Sequence, residues 1–169
     1  MLSVAGTAWL GWAQAGPPWW WVPFLTAGSA IGVVLAVASV LLARRHRRGP
    51  SAMTDPRSRR RYVTAVAVEA AACAAGSSAL GAGGSAPLIP AWILFVVGVH
   101  FVPLALVFRI RGLQLTGVLC ALVAVLAVPA SLSGVLPASA VAGAGGGLVM
   151  LAGAVPSLLA ARHPAEPVA

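Results

Sequence analysis

The sequence contains no lysine, and only three of its 169 residues are acidic: Asp55, Glu69 and Glu166. Charged side chains make up 8% of the chain. That is too few to coat a water-facing core, which excludes an ordinary soluble domain. Cysteine is scarce as well. Cys73 and Cys120 both fall inside apolar runs and form no C-x-x-C. They leave no disulfide framework, zinc site or thioredoxin-like centre, and read as buried thiols behaving as small hydrophobes. The glycine runs at 81–84 and 143–147 are not followed by Lys-Ser/Thr, so no phosphate loop is present. The sequence also has no G-x-S-x-G and no H-E-x-x-H. A single histidine in the apolar runs rules out a bis-histidine haem site. With no nucleophile–base pair and no metal set, an intramembrane enzyme is the least supported reading, and no cofactor or metal is expected.

What the chain does have is apolar length. Hydrophobic residues are 60% of the total, and the mean hydropathy is +0.95, so lipid is the expected solvent. The net charge of +8 comes from 11 basic residues, all arginine. In a soluble chain that balance would suggest nucleic acid. Here the arginines punctuate apolar runs, the pattern of membrane topology and of contact with anionic lipid at the inner face, so no nucleic-acid partner is expected.

The reading is an all-α polytopic transmembrane bundle of five spans, preceded by an interfacial or re-entrant tryptophan-rich segment over residues 1–23. The apolar run before Gln14 is too short to cross, because a spanning helix needs about 20 residues. Pro17 and Pro18 break it, and Trp19, Trp20 and Trp21 form an interfacial belt. The five spans cover approximately 24–43, 62–81, 88–108, 113–135 and 138–161. Between the first two, residues 44–61 form a loop carrying Arg44, Arg45, Arg47, Arg48, Arg57, Arg59, Arg60 and Arg61 against the lone acid Asp55. Such a loop belongs in the cytoplasm.

Five spans with that loop inside put the N-terminus outside and the C-terminal tail, 162–169, inside. Arg109, Arg111 and Arg162 then also fall inside, while Trp9, Trp12, Trp19, Trp20, Trp21 and Trp92 lie at or beyond the outer boundary. The competing version has residues 1–16 crossing, giving six spans. Pro103 is expected to bend its helix and Pro129 to kink or end the next one. Gly143 and Gly147, four apart, form a small-residue face that lets another helix approach closely.

Glu69 is the one carboxylate in an apolar run. It lies seven residues after Tyr62, which is ~10 Å into its helix at 1.5 Å per residue. His100 lies nine residues before Arg109, ~13 Å from the same side. The two helices are antiparallel neighbours, so the depths match and the side chains are expected to touch. A lone carboxylate in hydrocarbon costs ~2.5–3.5 kcal/mol on insertion scales. A histidine at the same level relieves that cost as an ion pair or a hydrogen-bonded neutral pair. Steps of four residues place Ala65, Glu69, Cys73, Ser77 and Gly81 on one stripe of the second span. Pro103 frees the Val99 carbonyl beside His100, and Gly98 makes room for a neighbouring helix. Gln114 and Thr116 are expected to extend this polar set, roofed by Cys73, Ser77 and Cys120. The plainer account of the pair is a structural lock between two helices.

At Val97–Ala105, V-G-V-H-F-V-P-L-A, the chain resembles small multi-pass membrane proteins of high-GC bacteria. Those carry a V-G-x-H-F-x-P-L-A helix after a glutamate-bearing one and have no established activity. The resemblance covers the second to fourth spans and implies a shared scaffold and a bacterial cytoplasmic membrane, not a substrate. The alanine-, glycine- and arginine-rich composition fits such a genome. Two functional readings follow. One is a small transporter, channel or sensor-like module with an inward-facing Glu69–His100 site for a proton or small polar ligand. The other is a non-catalytic scaffold or accessory subunit, forming a homo-oligomer or binding a membrane partner protein through its glycine faces.

Overall fold

The computed structural model describes residues 2–45, 55–108 and 110–162. Among these the chain is helical with no strand. The helices are α1 (Leu2–Ala13), α2 (Val22–Arg45), α3 (Pro56–Ala82), α4 (Ile89–Phe108), α5 (Arg111–Leu132) and α6 (Ala138–Arg162). Single 3-10 turns at Trp19–Trp21 and Ala86–Leu88 lead into α2 and α4. Five helices, α2 to α6, are long and apolar enough to cross a membrane. In lipid a helix satisfies its own backbone polar groups, which is why an apolar chain of this kind builds nothing else.

The second of these helices starts earlier than hydropathy suggests. Pro56 occupies the first turn of α3, and Asp55 caps it, its carboxylate accepting from the Ser58 amide at 2.9 Å and the Ser58 hydroxyl at 2.8 Å. Asp-Pro is a strong start signal, since the acid satisfies free amides and proline fits where no amide partner exists. Arg57, Arg59, Arg60 and Arg61 therefore stand on helix rather than in the expected 44–61 loop. At the other end of that loop, Arg44 and Arg45 belong to the last turn of α2. Arg47, Arg48, His46, Arg109 and His163 lie outside the described residues. Pro103 and Pro129 both sit within continuous helices. After Pro129, α5 continues to Leu132 and stops three residues short of the expected boundary.

Residues 2–13 pack one face against the bundle and leave Val4, Ala8, Gly11 and Trp12 exposed. Ser3, Leu10 and Ala13 are buried, and Trp9 belongs to the core cluster with Leu94, Cys120 and Met150. Trp19 and Trp20 are exposed. Helix α1 runs antiparallel to α2: the Gln14 amide donates to the Ser29 hydroxyl at 3.1 Å, and Ser3 donates to Ser39 at 3.0 Å. Ser39 is six residues before Arg45, so α1 begins ~9 Å from the arginine end of α2. With 12 residues, α1 is ~18 Å long, short of a full crossing but deep in the bundle.

Close backbone approach sets the packing. Across α1 and α6, Gly143 lies against the backbone of Ala13, and Gly147 against Leu10 and the carbonyl of Gly6. Across α4 and α5, Gly98 and Gly117 face each other's carbonyls. Without a hydrophobic force between helices in lipid, such contacts supply the van der Waals attraction that holds a bundle. Helix α3 is different. It packs on α4 and buries none of its residues fully.

Candidate functional site

Helices α3 and α4 are antiparallel and meet at three levels. At the arginine end Tyr62 stacks edge-on to Phe108, with ring centroids 6.2 Å apart. Two turns further along α3, Nε2 of His100 lies 3.3 Å from Oε2 of Glu69, within ion-pair reach. Beyond that, the indole N–H of Trp92, eight residues before His100 on α4, donates to the carbonyl of Ala72, three residues past Glu69 on α3, at 3.1 Å. That last bond depends on Gly76, where any side chain would run into the indole ring of Trp92. The spacing from Tyr62 to Glu69 to Gly76 is seven residues each time, which keeps all three on one helical stripe.

The His100 side chain is 7% exposed and that of Glu69 23%. The pair stands partway along a groove of about 710 Å³ between α3 and α4, lined by Ala65, Val68, Val99, Pro103 and Leu106 among others, with Arg60 and Arg61 at one end. Val68, Val99 and Leu106 are exposed, so the groove opens on the outer flank of the bundle and not into its centre. Pro103 has no amide to donate to the Val99 carbonyl, leaving an acceptor beside His100 on the groove wall. Chemically, an imidazole and a carboxylate in contact exchange a proton between two net-neutral forms. They accept one further proton to become a cation, or release one to become an anion.

The structure thus brings Glu69 and His100 together and leaves much of the expected polar set elsewhere. Cys73 and Ser77 lie one and two turns beyond Glu69, half-buried on the same face, and neither lines the groove. Gly81, at the end of that stripe, is exposed. Gln114 is exposed on α5, away from the pair. Thr116 donates to the Gly112 carbonyl of its own helix at 2.9 Å and packs against Gly153. Cys120 is fully buried in the core beside Leu94 and Trp9, and roofs nothing near Glu69. Depth was readable for these residues, whereas the face of α5 on which they fall was not. The site components missing from the sequence reading are Arg60 and Arg61 as lining residues, Trp92 and Gly76. The G-S-S after Cys73, opposite a tryptophan at matched depth, is the signal that could have found the last two.

Gly143 and Gly147 face α1 of the same chain, so the small-residue face a scaffold would offer to a partner helix is already occupied. Arg44 and Arg111 are exposed at the arginine ends of α2 and α5. Comparison with protein families, with curated proteins and with solved structures gave no match.

Proposed function

We propose that this is a multi-pass protein of a bacterial cytoplasmic membrane, and that its Glu69–His100 pair is the proton or small-polar-ligand site of a small transporter, channel or sensor-like module. The observation carrying this reading is the 3.3 Å contact between a carboxylate and an imidazole inside a groove with otherwise mostly apolar walls. Ionisable groups at membrane depth are costly to keep and mark ion and ligand pathways more often than surface groups do. The groove gives the pair access from the arginine end, which a purely structural lock does not need.

The arginine-bearing helix ends are placed in the cytoplasm by the positive-inside rule. Because α1 runs antiparallel to α2, its first residues then lie toward the cytoplasmic side and the tryptophan turn toward the outside. Five spans alone, without the packing of α1 on α2, carry the expectation of an outward N-terminus.

Besides each other, the charged groups among the described residues that face the pair along the groove are Arg60 and Arg61, on α3. The Cys73 thiol lies one turn beyond Glu69, and α5, packed on the other side of α4, contributes no charged residue to the groove. In reconstituted vesicles, proton flux and tryptophan emission should both depend on pH, because the pair gains or loses a proton as a unit. Glu69→Gln and His100→Ala should each abolish that response while the protein still inserts and stays monodisperse. An unchanged response in both variants rejects the reading.

A further inference from the structure

The groove has a length, a charge and an opening that a proton site does not require. From Arg61 to Ala72 is eleven residues, ~17 Å of helix. Half of a hydrocarbon core of ~30 Å is ~15 Å, so the groove is about one leaflet deep. Its mouth carries two arginines, its walls below them are mostly apolar, and its flank is open at Val68, Val99 and Leu106. It ends at Ala72 and Phe95, where the Trp92 ring, hydrogen-bonded to the Ala72 carbonyl and 6.3 Å from the Phe95 ring, stands just beyond.

We propose that this groove seats one anionic phospholipid of the cytoplasmic leaflet, its headgroup on Arg60 and Arg61 and one acyl chain along α3 and α4. Charge chooses the sign of the occupant. The Glu69–His100 pair is net neutral in its paired forms, so the two arginines decide, and they repel a lipophilic cation. Lateral opening chooses the source. A free anion in water gains nothing from the apolar walls, whereas a lipid already in the leaflet enters sideways without leaving oil. The acyl chain would lie over Glu69 and His100, so occupancy covers the pair and restricts its access to water. The inference uses the same groove as the proposed function and rests on that reading for this covering effect and for the choice of leaflet.

The test is native mass spectrometry of the full chain released from vesicles of equal phosphatidylglycerol and phosphatidylcholine. One phosphatidylglycerol should be retained in preference to phosphatidylcholine. Arg60→Gln with Arg61→Gln should lower its retention about 30-fold, the equivalent of two basic contacts at a membrane surface. Val99→Trp and, separately, Leu106→Trp should fill the groove from its exposed side and lower retention with both arginines intact. Arg44→Gln, outside the groove, should leave retention as it was. Equal retention of both lipids by the natural chain overturns the proposal. So does full retention in both tryptophan variants, which would put the headgroup on surface arginines alone. Competition by millimolar glycerol phosphate as effective as by the lipid would mean a site for free anions, and likewise overturns it. Glu69→Gln and His100→Ala separate the two ideas. They should abolish the pH response and keep the lipid, so a pH response unchanged in both variants with lipid retained defeats only the proposed function, and a pH response lost in both with no lipid preference in the natural chain defeats only the lipid seat.

Discussion

The contacts α1–α6 and α3–α4 join helices in the same oil by opposite means. Between α1 and α6 the backbones approach closely: Gly6, Gly143 and Gly147 carry no side chain at the crossing, Ala13 fits directly against Gly143, and Leu10 and Leu151 pack on Gly147 and Gly6. Between α3 and α4 the helices stand apart. Polar and aromatic ties at three levels bridge the gap, and the space between ties remains as a groove. A close crossing gains dispersion along its whole length and leaves smaller grooves at its flanks, about 460 Å³ beside Gly98 and Gly117 and about 390 Å³ beside Leu10 and Ala144. A tied crossing gains less and keeps a cavity. The difference teaches where to look for function in a bundle that is apolar throughout.

Three changes break or sharpen that comparison. The largest effect is expected at the close crossing. Gly143→Leu puts a side chain against the backbone of Ala13, which cannot swing aside. It should cost about 3 kcal/mol, the upper part of the range for overpacking, read as a fall in unfolding free energy in mixed micelles. A loss below ~0.5 kcal/mol, within the range of an ordinary surface substitution, would show that the crossing is looser than described. Next comes the tie at Glu69 and His100. A double-mutant cycle with Glu69→Gln and His100→Ala should give a coupling of about 1 kcal/mol, as polar contacts do between membrane helices. Zero coupling would mean the two groups satisfy themselves with water instead.

The smallest effect is at the cap of α3. Hydrogen bonds from the Ser58 hydroxyl and amide hold the Asp55 carboxyl below its ordinary pKa. Its contribution is therefore fully present at neutral pH and is lost as pH falls through that lowered value. Asp55→Ala should speed amide exchange at Arg57 and Ser58 at neutral pH, and the difference from the natural chain should vanish in strong acid. Equal exchange at neutral pH would remove the cap from the account.

Length and depth were legible in the sequence because lipid imposes them. Twenty apolar residues cross, arginines mark one boundary, and a lone Glu69 and a lone His100 at matched distances from that boundary had one economical solution. The face that a residue presents was not legible. Helices apolar on all sides carry little amphipathic signal, so Gln114 and Cys120 were assigned to the right level and the wrong direction. Helix α1 was legible only as an interfacial or re-entrant segment, and its place against α6 was hidden for a different reason. At 12 residues it fails the length criterion, and its burial comes from α6, far along the chain. The start of α3 was written in Asp55-Pro56, but a hydropathy boundary hides a polar first turn.

The crossing of α1 on α6 carries a consequence for biogenesis. The hydroxyl of Ser139 reaches the Ala15 carbonyl across 124 positions of sequence. Helix α1 can settle on α2 as soon as both have left the ribosome, yet its Gly6–Leu10–Ala13 side has no counterpart until the glycines of α6 emerge. For most of translation, then, the nascent α1–α2 hairpin waits in the bilayer half-dressed, and completion of the bundle is timed by the arrival of its final rod.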